Sequence, residues 1–331
     1  MELFYPSYYH DFHCIAANCP DSCCREWTVD VDADTAAYYR SLSSPLGNRL
    51  RSVLTDTEDG TVMEIENGRC PMWRQDGLCQ IHAELGHDAL CQTCRDFPRL
   101  RHDYGDFVEL GLELSCPEAA RLIFSDPHGV LLHESQPGGS TPEYDTELMA
   151  LLRSSRQIAL NFLNTSSFSF GETLAVLLLY AHDVQAQIDG ADFVPFDPQA
   201  LLNEAKSYAA NGEIALLFDF FRGLEILTDR WKARLLQPTD FVLDFNLMPL
   251  ARYMINRYWL QAVSDYDLIC RVKLVIISCL LIAALGGDLV QTAHLFSKEI
   301  ENDPDNICRI LDGAYSSFAF TDVNLLSLLL V

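Results

Sequence analysis

Nine of the twelve cysteines in this 331-residue chain fall within its first 116 residues. That crowding limits the folds open to it more than any other feature. The nine are Cys14, Cys19, Cys23, Cys24, Cys70, Cys79, Cys91, Cys94 and Cys116; only Cys270, Cys279 and Cys308 lie beyond. In an oxidising compartment such density reads as a disulfide framework, and in a reducing one as ligation of a metal or an iron–sulfur cluster. The leading segment, MELFYPSYYHDFHC, has an acidic second residue and no apolar stretch of signal-peptide length. The strongest apolar run, Leu274 to Leu285, has 12 residues, too few to cross a bilayer, and reads as a buried helix. A cytoplasmic protein with reduced thiols is therefore expected. The nine cysteines become candidate metal ligands, and the three later ones small core residues.

Charge narrows the partners. The chain carries 23 Lys and Arg against 47 Asp and Glu, a net charge of −24. Duplex nucleic acid and anionic membrane surfaces both need cationic side chains, so neither is expected as a partner. A cationic substrate group is favoured, although acidity also serves plain solubility.

Turn residues and periodicity divide the chain in two. Residues 1–125 mix short elements around cysteine knuckles. A helix is expected over 32–44 with Asp32 or Asp34 as its cap, a strand over 61–66, and a broken helix over 81–97 with its break at Gly86. A second strand is expected over 107–114, then a helix that opens at Pro117. Asn67-Gly68 and Gln75-Asp76-Gly77 are turns that deliver Cys70 and Cys79. Residues 126–142 are rich in proline and glycine and read as a linker. Residues 143–331 follow a period of about 3.6 and read as an all-helical domain. It opens at Thr141-Pro142-Glu143 and has helices near 143–164, 171–188, 198–210, 213–236, 247–263, 266–285, 288–300 and 304–316. The expected fold class is mostly α, a small cysteine-rich α+β metal-binding part followed by an all-α domain.

Thiolates suit zinc, Cu(I) or iron–sulfur clusters, and about four must converge from short knuckles. Cys91-x2-Cys94 is one such knuckle and Cys19-x3-Cys23-Cys24 another. Adjacent side chains diverge, so Cys23 and Cys24 are expected to serve different sites. The Cys-Pro steps at Cys70-Pro71 and Cys116-Pro117 resemble ferredoxin-type ligation and tilt the choice toward a 4Fe–4S cluster, with zinc as the alternative. The three-cysteine radical pattern CxxxCxxC is not met, because Glu26 stands in the third place. His10, His13, His82, His87 and His102 lie near the cysteines in sequence; for each, a solvated side chain is the plainer reading than a ligand. The same holds for Asp103, Asp106 and Glu109, an exposed acidic rim or a face toward a cationic substrate.

Three stretches carry a family resemblance. Phe12 to Val31 (FHCIAANCPDSCCREWTVDV), Gly68 to Arg99 (GRCPMWRQDGLCQIHAELGHDALCQTCRDFPR) and Gly105 to Arg121 (GDFVELGLELSCPEAAR) resemble the flagellin lysine-N-methylase (FliB-type) family. Cys94-Arg95-Asp96-Phe97-Pro98 also resembles the broader group of zinc- or iron-chelating cysteine-rich domains. That group has a tyrosine where this chain has His82. The first resemblance implies methyl transfer from S-adenosylmethionine to lysine side chains of flagellin. No glycine-rich loop follows a strand in a βαβ setting, so the usual dinucleotide-type donor site is missing. The resemblance thus implies a donor site of another architecture, such as a cleft between the two parts.

Methylation of an amine needs its neutral form, aligned in line with the donor sulfur. Aromatic faces can guide both the cationic donor and the alkylammonium acceptor. Tyr5, Tyr8, Tyr9, Trp27, Trp73 and Tyr104 are available, with packing the expected role of most. The competing reading is a non-enzymatic iron- or zinc-binding module whose helical part binds a partner.

Overall fold

The computed structural model describes residues 1–330. Its strands are β1 (Glu2–Pro6), β2 (Val29–Val31), β3 (Leu54–Asp56), β4 (Thr61–Met63), β5 (Arg99–Asp103), β6 (Phe107–Leu112) and β7 (Leu131–Ser135). The cysteine-bearing region adds helices α1 (Ala33–Ser41), α2 (Pro45–Val53), α3 (Gln80–Leu85), α4 (Gln92–Asp96) and α5 (Pro117–Ser125). Beyond β7 come α6 (Thr146–Thr165), α7 (Phe170–Ile188), α8 (Pro198–Tyr208), α9 (Ile214–Arg222) and α10 (Asp229–Leu235). The chain continues through α11 (Met248–Tyr258), α12 (Ile269–Leu285), α13 (Leu289–Phe296), α14 (Pro304–Ser316) and α15 (Asp322–Leu329). The protein is thus mostly helical, with a small sheet-bearing part and a helical C-terminal region, as the periodicity indicates.

Two sheets organise the first part. One has the order β5-β6-β1-β7, with β1 parallel to β6 and antiparallel to β7. The other is the antiparallel set β2-β4-β3. Local pattern gave no sign of β1, because its partners are remote: Leu3 sits opposite Val108 on one side and Glu134 on the other. The stretch read as a linker contains β7, which closes that sheet.

Local signals explain most helix ends. Asp32 caps α1 by accepting from the Thr35 amide at 3.0 Å, and Ser169 with Glu172 forms a capping box on α7. Helix α6 starts later than Thr141-Pro142 suggests, because Asp145 accepts from both Glu147 and Leu148 amides at 3.0 Å. The expected 213–236 helix is two, α9 and α10, since Thr228 caps a fresh start through the Trp231 amide. The expected 288–300 helix passes into a π-helical turn, Ser297–Glu301. Helix α15 extends the bundle past the last expected helix.

Every residue of α12 except Ala283 is buried. An all-round apolar helix must be surrounded, and α7, α11, α13, α14 and α15 surround it. Its core is continuous with Phe107, Leu112 and α5 from the sheet-bearing part, while a smaller core gathers Val29, Tyr39, Leu50, Met72, Cys70 and Cys91. Among the described residues, no helix is long and apolar enough to cross a membrane.

The bundle buries a cation, Lys273, whose Nζ lies 3.0 Å from the Asp322 carboxylate and 3.0 Å from the Ala314 carbonyl. His182 approaches the same carboxylate at 3.0 Å. Burial pushes Asp322 up, but His182 and Lys273 outweigh it and hold the carboxyl at about 2, below its ordinary 3.8. A depressed carboxyl stabilises the fold above its unfolded value, and that contribution fades as pH falls through its folded value. Asp322→Asn is expected to lose about 1 kcal/mol at neutral pH, after allowance for solvent screening. Thermal unfolding across a pH series checks this: the gap from the native protein should close between pH 3.8 and about 2.

Candidate functional site

Turns bring the cysteines back toward one another. Asn67 and Gly68 both adopt positive φ, 52° and 73°, where asparagine and glycine are tolerated. The chain reverses there, and the Cys70 amide then donates to the Cys24 carbonyl at 2.8 Å. A second reversal at Gly77 sets Trp73 opposite Cys79. Cys79, Cys91 and Cys116 each occupy the N-cap position of a helix, α3, α4 and α5 respectively. Pro117 follows at the first helical position, where its missing amide is harmless. A helix N-terminus favours negative charge, so these positions suit thiolates.

Neighbouring thiols act on one another along the whole run: Cys19, Cys23 and Cys116 feel Cys14, Cys70, Cys79 and Cys94 feel Cys24, and Cys23 acts on both Cys24 and Cys94. Hydrogen bonds from Cys23 and then Cys70 hold the Cys24 thiol well below its ordinary value. Cys94 does the same for Cys91. Burial pushes Cys116 up to about 11 and raises Cys19 and Cys79. Cys23 and Cys24, expected to serve different sites, act most strongly on each other. This donor set fits a thiophilic metal or cluster by its chemistry. Among the described residues, however, no three His, Cys, Asp or Glu side chains already stand in metal-holding geometry.

The other sequence candidates are placed elsewhere. His10, His13, His82 and His87 are exposed, and His10 packs edge-on against Tyr5 with centroids 4.8 Å apart. Asp103 pairs with Arg101 at 2.8 Å, Asp106 accepts from the Tyr144 hydroxyl at 2.7 Å, and Glu109 meets Arg156 through both oxygens. Trp73 lies between the guanidinium groups of Arg25 and Arg69. Tyr104 stacks on Phe107 with centroids 4.7 Å apart.

A cleft of about 390 Å³ opens where the cysteine-bearing region meets the helices. One wall carries Cys23, Trp27, Thr93, Cys94 and Phe97; the Trp27 and Phe97 rings are 6.0 Å apart. The opposite wall carries Glu113, Arg257, Glu301 and Asn302. The Glu301 side chain has no exposed surface. It accepts from the Tyr258 hydroxyl at 2.9 Å and lies 3.5 Å from Arg257 Nε. Burial raises Glu113 above the usual carboxylate range, with Arg257 and the Ser115 hydroxyl opposing that rise.

The two walls are clamped together. Asp21 accepts from Lys298 and from His294, each at 3.0 Å. Lys298 also meets Glu26 at 2.6 Å and sits 5.2 Å from the centre of the Trp27 ring. Glu26 reaches it from a positive φ of 77°. Thus the residue that breaks the three-cysteine pattern instead grips a buried lysine. Lys298 and Glu301 both belong to the π-helical turn, a feature found at functional sites.

With this geometry in view, comparison with known proteins is informative. Over 144 residues the chain is 30% identical to the flagellar biosynthetic protein FliU of Salmonella muenchen, covering 40% of this chain and 82% of that protein. The chain belongs to the FliU family. Two lysine-N-methylases, from Salmonella choleraesuis (strain SC-B67) and Salmonella typhimurium (strain LT2), are 28% identical over 218 residues, 62% of this chain. The chain spans about half the length of those lysine-N-methylases, 51%. No family model matches the chain. No solved structure matches it.

Sequence reasoning did not single out Asp21, His294, Lys298, Glu113, Arg257 or Glu301. Lys298 and Glu301 lie in the polar run Ser297-Lys298-Glu299-Ile300-Glu301-Asn302-Asp303, which carries no local sign of their burial. Removing one member of a buried ion cluster leaves uncompensated charge, worth about 3 kcal/mol. Asp21→Ala is therefore expected to loosen the clamp by about that amount. Hydrogen exchange should accelerate over residues 12–31 while amides of α12 stay protected; unchanged exchange in 12–31 would show that the clamp does not hold the walls.

Proposed function

We propose that this FliU-family chain is a protein-lysine N-methyltransferase that carries methyl groups from S-adenosylmethionine to surface lysines of flagellin, with the cleft as its reaction site. The observation that carries the reading is the 218-residue similarity to two proteins named lysine-N-methylase. The cleft's chemistry supports it. A lysine side chain entering alongside the paired Trp27 and Phe97 rings meets aromatic surface that suits an alkylammonium group. Glu113 lies ahead of it with its carboxyl raised by burial, so the amine can be drawn in as a cation and relieved of its proton there, while the fully buried Glu301 holds Arg257 behind the wall. Arg257, 3.5 Å from Glu301, offsets the negative charge of that wall. The chain's net charge of −24 favours approach of a lysine-bearing surface.

The nine cysteines would hold the metal centre, a 4Fe–4S cluster by preference and zinc as the alternative. When bound, such a group cross-links knuckles that a small reduced region cannot otherwise fix. Cys23 and Cys94 then keep Trp27 and Phe97 at the cleft.

Two measurements test the reading. Purified flagellin incubated with this protein and S-adenosylmethionine should gain lysine methyl groups. Glu113→Gln should slow that gain roughly 100-fold, in keeping with loss of a proton-handling group. Absence of any methyl transfer by metal-replete protein would favour the non-enzymatic module. Separately, anaerobically purified protein should show a broad absorbance band near about 400 nm. Cys91→Ser and Cys94→Ser should lose that band together with the metal. A colourless, zinc-bearing protein would exclude the cluster, and unchanged metal content in both variants would exclude these two ligands.

A further inference from the structure

Two arginines of the cysteine-bearing region face each other with no anion to hold them. The Glu26 amide donates to the Gly68 carbonyl at 3.2 Å, and the Cys70 amide to the Cys24 carbonyl at 2.8 Å. Those two bonds flank Arg25 and Arg69, which are partners in an antiparallel bridge. Residues paired in this way leave the backbone on one face, with Cα atoms about 4.5 Å apart. The next turn of chain brings Trp73 to both, its amide donating to the Cys70 carbonyl at 2.9 Å. The guanidinium carbons of Arg25 and Arg69 lie 5.1 and 4.6 Å from the centre of the Trp73 ring.

Like charges directly opposite one another are destabilising. The chain has 47 Asp and Glu residues, but those nearby are engaged elsewhere or stand off. Glu26 turns to Lys298 at 2.6 Å, and Asp76 to Arg74 at 2.6 Å. Glu66 pairs its backbone with Arg69 across the Asn67-Gly68 turn, yet its exposed side chain closes no ion pair. Among the described residues, neither the Arg25 nor the Arg69 side chain has an ion-pair or hydrogen-bond partner. Stacking on an aromatic ring orients a guanidinium without using its N–H donors. Arg69 is exposed, and Arg25 and Trp73 are half-buried, so those donors are open to solvent.

An arginine fork takes a carboxylate through two parallel N–H···O bonds. Two forks on one face, steadied by one ring, therefore match two carboxylates carried side by side. Alternate residues of an extended peptide share a face about 7 Å apart. Two groups 5.1 and 4.6 Å from a common centre can span that spacing. We propose that Arg25, Arg69 and Trp73 form a docking site for an acidic peptide segment of a partner protein, with Glu or Asp at alternate positions. The partner's carboxylates relieve the repulsion between the two arginines. The chain's net charge of −24 opposes long-range attraction of such a segment, so its affinity rests on these contacts. The site does not depend on the methyl-transfer reading.

The test is calorimetric titration of the full, metal-replete chain with three probes: a blocked Gly-Glu-Gly-Glu-Gly peptide, its Gly-Gln-Gly-Gln-Gly counterpart, and inorganic phosphate. Native protein should bind the Glu peptide at least about tenfold more tightly than the Gln peptide. Arg25→Gln and Arg69→Gln should each remove about tenfold of that preference. Arg69→Lys, which keeps the charge but not the fork, should fall between. The Glu peptide should also raise the unfolding midpoint of native protein and leave that of the Gln variants unmoved. Equal binding of the two peptides, or a preference that survives both Gln variants, overturns the proposal. So does phosphate binding as tight as that of the Glu peptide and lost in the same variants, which would make this a site for a single oxyanion. Loss of metal from the Gln variants, with no peptide bound by native protein, would instead assign the arginines to the thiol centre.

Discussion

One carboxylate holds the candidate site together. Asp21 lies in the loop between Cys19 and Cys23, and it accepts hydrogen bonds from His294 and Lys298 on the far side of the molecule. Lys298 is almost wholly buried, and an ammonium group taken out of water must be paired on several sides. Asp21, Glu26 and the Trp27 ring supply that pairing. The cost of separating these groups gives the cysteine-bearing segment a single docked position, and the cleft exists because that position is fixed.

The same clamp explains why the thiols matter to more than their own region. Cys23 and Cys94 are far apart in sequence, yet both line the cleft beside Trp27 and Phe97. In the other direction, the π-helical turn that carries Lys298 also carries Glu301. Structural pinning and the polar wall of the cleft therefore come from one local departure from regular helix, where the extra residue turns two side chains toward the interface.

Much of this was legible in the sequence. The period of about 3.6 beyond residue 143 gave the helical bundle, and the apolar run at 274–285 gave its central buried helix. Asp32 marked the cap of α1, and Pro117 the start of α5. The misses share a cause. Strand β1 has no local signature because its stability comes from Phe107 and Ser135 as neighbours. The break between α9 and α10 depends on a threonine cap that competes with an otherwise good helical pattern. His10, His13, His82 and His87, for which a solvated side chain was the plainer reading, are exposed.

Composition and spacing by themselves determined that the cysteines crowd into the leading third and that the remainder is helical. These are properties of residue type and short-range order, which the chain carries wherever it folds. Only the tertiary structure decided which thiols share a neighbourhood, which carboxylates face the cleft and which arginines stand opposite each other. Those outcomes depend on pairs such as Asp21 with Lys298, 277 residues apart. Burial and electrostatic pairing act through space, and no local pattern encodes which distant residue will be the partner.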